Sequence, residues 1–219
     1  MSAVLLSQTE SQAEPDYFQQ ILLAPVYDLA VETPTTLLNK VSSKLGNRVW
    51  LKREDMQPVN SFKLRGAYHK IKKLSAEQRA NGVVTASAGN HAQGVALSGA
   101  TLGIDATIVM PITTPQIKVT AVRGHGGKVL LFGECFDEAN AHAKGLAEKQ
   151  GATFIPPFDD KDIIVGQGTV AKELVQQHPE MDMVFIPVGG GGLLAGMAVY
   201  IKTLLPKVKV IGVEFEESA

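Results

Sequence analysis

The sequence predicts an α/β fold with mostly parallel strands. Short β-branched apolar runs recur along the chain, and longer stretches with apolar residues at helical spacing alternate with them. The strand runs are "NRVWLKRE", "GVVTAS", "ATIVMP", "KVLLF", "TFIPP", "DMVFIPV" and "KVKVIGVE". Residues 90–102, 115–124, 136–150, 163–178 and 192–204 carry the helical spacing, with Gly103, Gly124 and Gly151 as stop signals. The proline-bearing "IPPFDDKD", residues 155–162, is the expected crossing between domains. The first 15 residues are polar and expected to fray. The sequence stops at "VIGVEFEESA", straight after a strand pattern with no helix to cover the sheet, so the chain is expected to be one part of a larger unit.

Composition narrows the function classes. With 219 residues, 45% hydrophobic and 20% charged, the chain can bury a sizeable core. A formal net charge of -1 without long runs of one sign gives no footprint for nucleic acid or an acidic membrane, so a neutral small molecule or a locally cradled anion is the expected partner. The single cysteine, Cys135, excludes an intrachain disulfide, and the N-terminal residues lack a secretory pattern, which together point to a cytoplasmic setting. No apolar run reaches the roughly 18 residues of a membrane span.

Three motifs carry chemistry. In "VNSFKLRGAYHKIKKL", the apolar positions Leu64, Ala67, Tyr68, Ile71 and Leu74 define one face of a helix, with Arg65, His69, Lys70, Lys72 and Lys73 expected on the outer face. Asn60 and Ser61 are suitable N-caps, so Lys63 falls in the first turn, where the helix dipole disfavours a cation by roughly 0.3 to 1 kcal/mol. The same field favours a neutral amine. At pH 7 only about one free lysine in 2,500 is neutral, a deficit of nearly 5 kcal/mol that a Schiff base to an aldehyde removes. A solvated surface lysine with a snorkelling stem is the competing account of the stretch taken alone.

"VVTASAGNHAQGVALSGATLG" places Ser87, Ala88, Gly89, Asn90 and His91 at a strand-to-helix turn, whose free N–H groups and hydroxyl suit a carboxylate. The competing account makes Asn90 a helix cap and His91 a satisfied buried histidine. In "MVFIPVGGGGLLAGMAVYIKTLL", Gly189, Gly190, Gly191 and Gly192 link a strand to a helix opening near Leu193, so consecutive N–H groups and the helix N-terminus can hold a phosphate. Gly190, Gly192 and Ala195 also satisfy G-x-G-x-x-A, with Glu214 about 20 residues on, which keeps a nicotinamide-dependent oxidoreductase open.

Taken together and in order, "SFKLRGA", "SAGNHAQGVA" and "PVGGGGLLAG" resemble the fold-type II pyridoxal-phosphate enzymes, above all the biosynthetic threonine dehydratases, also called threonine deaminases or ammonia-lyases. The likeness runs from about Ala24 to Ala219, through "LKREDMQPVNSF", "IVMPITTPQIKVTAVRGHGG" and "GQGTVAKEL". It implies two open-sheet α/β domains of the tryptophan synthase β-like kind: a larger one from residues 1–55 and 160–219, incomplete at its C-terminus, and a smaller one inserted at 56–159. It also implies pyridoxal 5'-phosphate as cofactor, with Lys63 as the catalytic Schiff-base lysine, Phe62 beside the cofactor ring and Asn90 on the ring hydroxyl. Gly189, Gly190, Gly191, Gly192 and Leu193 would hold the phosphate, and Ser87, Ala88, Gly89, Asn90 and His91 the substrate carboxylate; no metal is implied.

The implied activity is the deamination of L-threonine to 2-oxobutanoate and ammonia in isoleucine biosynthesis, with L-serine as side substrate; apart from the resemblance, a homo-oligomer is expected because most assemblies are symmetric. A serine dehydratase or racemase of the same fold and a non-catalytic remnant stand as alternatives. The family pattern continues past residue 219, so low activity of this chain alone and no feedback control by isoleucine are expected.

Overall fold

The structure, a computed structural model, describes residues 16–216. The N-terminal segment expected to fray lies outside the described residues. The chain opens with α1 (Tyr17–Leu23), whose first turn is capped by Asp16 accepting the N–H of Gln19 at 3.1 Å. Then come β1 (Thr35–Leu37), α2 (Asn39–Leu45) and β2 (Trp50–Lys52), with β1 and β2 paired antiparallel, Thr35 opposite Lys52. Next are α3 (Lys63–Lys72) and α4 (Ala76–Asn81), the latter started by a reciprocal capping box between Ser75 and Gln78.

The central part alternates strand and helix: β3 (Val83–Ala86), α5 (Asn90–Leu102), β4 (Ala106–Met110), α6 (Gln116–Gly124), β5 (Lys128–Leu131), α7 (Phe136–Gln150) and β6 (Thr153–Phe154). The four strands form one parallel sheet in the order β5-β4-β3-β6. Both of its faces are covered, as a parallel sheet requires. Ala67 and Ile71 of α3 and Ala92, Val95 and Ala96 of α5 pack with Ile108 and Met110. Ala139, Ala143 and Ala147 of α7 pack with Val84 and Val109 on the opposite side.

The chain continues as α8 (Lys161–Gln177), β7 (Met183–Pro187), α9 (Gly192–Leu204) and β8 (Lys209–Val213), with β7 and β8 parallel. Ile21, Val165, Ala171, Met197, Tyr200 and Ile201 join α1, α8 and α9 in a further core cluster. On β7, Phe185 is 61% exposed, and Phe215, past the end of β8, is 68% exposed.

Helix α8 is clasped between α3 and α9. A Cβ on Gly166 would stand 2.5 Å from both the Arg65 carbonyl oxygen and Gly66 Cα, so the two backbones touch at this crossing. That contact corrects the expected orientation of α3. Arg65 is fully buried and His69 is 4% exposed, because α3 has α5 on one flank and α8 on another and keeps only part of its polar face in water.

Candidate active site

Lys63 is the first residue of α3, after an N-cap at Phe62 that makes no side-chain capping bond. Of the two expected caps, Ser61 is nearer the role: its Oγ accepts the Lys63 N–H at 3.3 Å. Asn60 turns the chain instead, with a left-handed φ of 54°. The Lys63 Nζ donates to the carbonyl of Pro157 at 2.7 Å and lies 5.6 Å from the Phe62 ring centroid. Burial lowers its pKa from the ordinary lysine value, and no carboxylate opposes the shift.

Lys63 faces a cavity of about 210 Å³ lined by Phe62, Lys63, Phe158, Pro187, Val188 and the whole turn from Gly189 to Leu193. The turn forms because β7 ends at Pro187 and α9 begins at Gly192, with Gly191 in the left-handed region at φ 80°. The N–H of Ala195 is bonded to Gly191, but among the described residues no acceptor is bonded by the N–H groups of Gly189 to Leu193. A row of free donors at the head of a 13-residue helix is a site for an anion.

The second turn is placed differently. Ser87, Ala88 and Gly89 are half-buried and Asn90 is exposed, and none of the four lines this cavity. Gly89, not Asn90, is the N-cap of α5. The turn still sits beside the lysine, because Gly94 of α5 lies against the Lys63–Leu64 backbone, where a Cβ would come within 3.3 Å of it. His91 points inward: it is 3% exposed and bonds the Ile155 carbonyl through Nε2 at 3.1 Å, while its Nδ1 has no partner. Since Nε2 must carry the proton, a second proton on Nδ1 would be a buried, unpaired donor. Burial, with a smaller contribution from the Lys63 charge, pushes the His91 pKa down to about 4.

Residues 155–160 connect the two turns. Ile155 accepts from Thr85 Oγ1 at 2.7 Å as well as from His91, Pro157 accepts from Lys63, and Phe158 lies on the glycine turn. The sequence marked this stretch only as a crossing, so Pro157 and Phe158 were missed. Two prolines before an aromatic signal a stiff segment, but nothing in the local pattern says what the aromatic touches.

Behind Lys63 lies a buried ionic network. Arg65 bonds Glu54 through Nε and Nη2, both at 2.8 Å, and Glu173 through Nη1 at 2.5 Å; Lys52 meets Glu173 at 2.6 Å. Tyr27 donates to Glu173 Oε1 at 2.9 Å. Burial alone would raise the Glu173 pKa, but Arg65 and Lys52 outweigh it and leave it below its ordinary value. The network ties the segment before α3, α3 itself and α8 into one support.

Residues 26–219 match the family described as "Pyridoxal-phosphate dependent enzyme". The chain belongs to that family.

Among relatives, the biosynthetic L-threonine dehydratase of Pasteurella multocida is 60% identical over 93% of this chain, and that of Escherichia coli 59% over the same share. The chain spans 40% of the length of each. Among solved structures, the processed form of threonine deaminase isoform 2 from Solanum lycopersicum superposes with a TM-score of 0.89 at 56% identity, covering 90% of this chain and 55% of that one. Maize serine racemase superposes at 0.87 with 35% identity, covering 91% and 60%. The fold is thus the fold-type II architecture, and the family's cofactor is pyridoxal phosphate. Family membership takes the glycine turn away from the dinucleotide alternative, and Glu214 stands exposed past β8.

The residues present fit that cofactor. A desolvated primary amine and a run of free N–H groups at a helix head share one cavity, as a group with an aldehyde at one end and a phosphate at the other demands. A Cβ at Gly189 would meet nothing within 4 Å, so that side of the turn is open to a ligand.

Proposed function

We propose that this chain carries the catalytic machinery for pyridoxal-phosphate-dependent deamination of L-threonine to 2-oxobutanoate and ammonia, with L-serine as a weaker substrate. The observation that carries the reading is the desolvated Lys63 amine in the same cavity as the phosphate-binding turn. Identity of 59–60% to biosynthetic threonine dehydratases supports threonine as the substrate and isoleucine biosynthesis as the setting.

When bound, the cofactor supplies an electron sink for charge developing at the substrate's Cα. Lys63 would hold the cofactor through its Nζ and, with that amine free, would take the substrate's Cα proton. Its lowered pKa keeps a larger share of the amine neutral and so able to accept that proton. The Gly189–Leu193 donors bind the phosphate, and the Phe62 ring bounds the cavity beside Lys63. Within the Ser87–His91 turn, Ser87 and Gly89 already use their N–H groups on the Val109 carbonyl and on Ser87 Oγ, both at 3.2 Å, so Ala88, Asn90 and His91 offer N–H groups and Ser87 its hydroxyl to the substrate carboxylate, with the Asn90 side chain directed to the cofactor ring hydroxyl. The inward His91 serves through its backbone, while its imidazole anchors Ile155.

The same reading divides the chain into a smaller domain at 56–159 around the four-stranded sheet and a larger one from the flanking segments, acting in the cytoplasm as a homo-oligomer. The deciding experiment adds pyridoxal phosphate to the chain and measures oxo-acid release from L-threonine and L-serine, with borohydride reduction to fix the cofactor. Label on Lys63 and faster release from threonine are expected. Label on any other lysine would overturn the assignment.

A further inference from the structure

The four glycines of the turn are glycine for different reasons. Gly191 answers to its left-handed backbone, φ 80°, whereas Gly189 has an ordinary φ and open space where a Cβ would be. At Gly190 a Cβ would stand 2.1 Å from Phe158 Cγ and 2.3 Å from each Cδ. At Gly192 it would stand 2.8 Å from the Phe158 carbonyl oxygen and 3.2 Å from its Cα. Non-bonded carbons settle at about 3.5 to 4.0 Å, so the Phe158 backbone excludes a side chain at Gly192, and at Gly190 the Phe158 ring, 38% exposed, would have to move to admit one.

Phe158 is itself held on both sides. Upstream, Ile155 donates to the Val84 carbonyl at 2.8 Å and accepts from Thr85 and His91, and Pro156 and Pro157 fix the φ angles that follow. Downstream, Asp160 caps α8 by accepting the N–H groups of Asp162 and Ile163 at 3.0 and 3.2 Å, and Lys70 bonds its other oxygen at 2.6 Å. A pinned segment thus delivers an aromatic ring against the turn.

We infer that Phe158 is a positioning residue for the anion-binding turn: its ring and backbone set the path of Gly189–Gly192, and through it the aim of their N–H groups. Where the ligand is named, the inference rests on the pyridoxal-phosphate reading; the shaping of the turn does not. Phe158 acts through the turn and takes no part in proton transfer.

The test is a double-mutant cycle on the 219-residue chain: parent, Gly190→Ala, Phe158→Ala and the two combined, with Phe158→Tyr as the conservative control. Pyridoxal phosphate is titrated by visible absorbance and by the circular dichroism of the bound chromophore, and the melting temperature is measured without it. Gly190→Ala drives a methyl into the ring and is expected to weaken cofactor binding about tenfold. Phe158→Ala weakens it by about fivefold, by loosening the turn. In the combined variant the methyl takes space the ring has left, so binding recovers above the Gly190→Ala level, while Phe158→Tyr binds like the parent.

Parent-like binding by Gly190→Ala, or losses that simply multiply in the combined variant, would overturn the inference. If the parent takes up no cofactor, the functional reading falls, and the melting temperatures decide this inference alone: rescue in the combined variant supports it and additive losses refute it. If Gly190→Ala does not fold, a folded combined variant supports it, and failure of both refutes it.

Discussion

Lys63 and Arg65 stand two residues apart on one helix and are both withdrawn from water, yet the structure treats them in opposite ways. Arg65 is fully buried among Glu54, Glu173 and the Thr169 hydroxyl. Burial works against its charge, but the two carboxylates outweigh it and hold its pKa above the ordinary value. Lys63 is met by a single neutral carbonyl, so burial acts unopposed and lowers its pKa. A buried cation with counter-charges becomes part of the frame, and one without them becomes a base.

The largest effect expected from breaking this contrast is on chemistry. Lys63→Ala should lower oxo-acid release by about 10⁴-fold by removing base and cofactor anchor together. Its stability in urea should stay level or rise, because a desolvated amine is lost; a drop comparable to that of a core mutant would place Lys63 in the frame instead. Arg65→Ala should behave inversely. Leaving Glu54 without its cation, and Glu173 with Lys52 alone, costs about 3 to 5 kcal/mol of unfolding free energy, to be read from urea denaturation.

His91 sharpens the comparison, since it too is buried beside Lys63 with no counter-charge. Its pKa of about 4 lies below the 6.5 of an exposed histidine, so between these values the unfolded chain binds the extra proton and the folded chain does not. Stability from this group is therefore complete above pH 6.5 and is lost as the pH falls towards 4. The total is on the order of 3 kcal/mol. Denaturation curves of the parent should show that slope in excess of His91→Gln, and equal slopes would refute the assignment.

The smallest expected effect comes from supplying Lys63 with the charge it lacks. Ser61, whose Oγ accepts the Lys63 backbone N–H, is a site two residues away on the chain at which to introduce it. Ser61→Asp should make Lys63 more basic and slow its reaction with pyridoxal phosphate at neutral pH by about tenfold, measured by stopped-flow absorbance. An unchanged rate would mean that solvent already screens the amine.

Much of this was legible in the chain, and for local reasons. The helices at 90–102, 136–150 and 192–204 were bounded to the residue because each has a sustained apolar period and a clear start or stop, such as Gly103 and Gly151 in the left-handed C-cap conformation. The short elements β1, α1, α2 and α4 escaped because three to seven residues are too few for a period to show. Arg65 was misplaced on an outer face because helical spacing separates apolar from polar positions and cannot see carboxylates brought up from residues 54 and 173.

The sequence by itself determined the alternation of strand and helix, the glycine turn and the lysine at a helix head, because backbone propensity and apolar period act over neighbouring residues. Only the tertiary structure decided which cation is framed and which is free to react. It alone set the Phe158 ring on Gly190, drew the carbonyl of Pro157 to Lys63 and turned His91 inward. Those outcomes depend on burial and on partners distant in the chain, and desolvation and close packing exist only once the chain has folded.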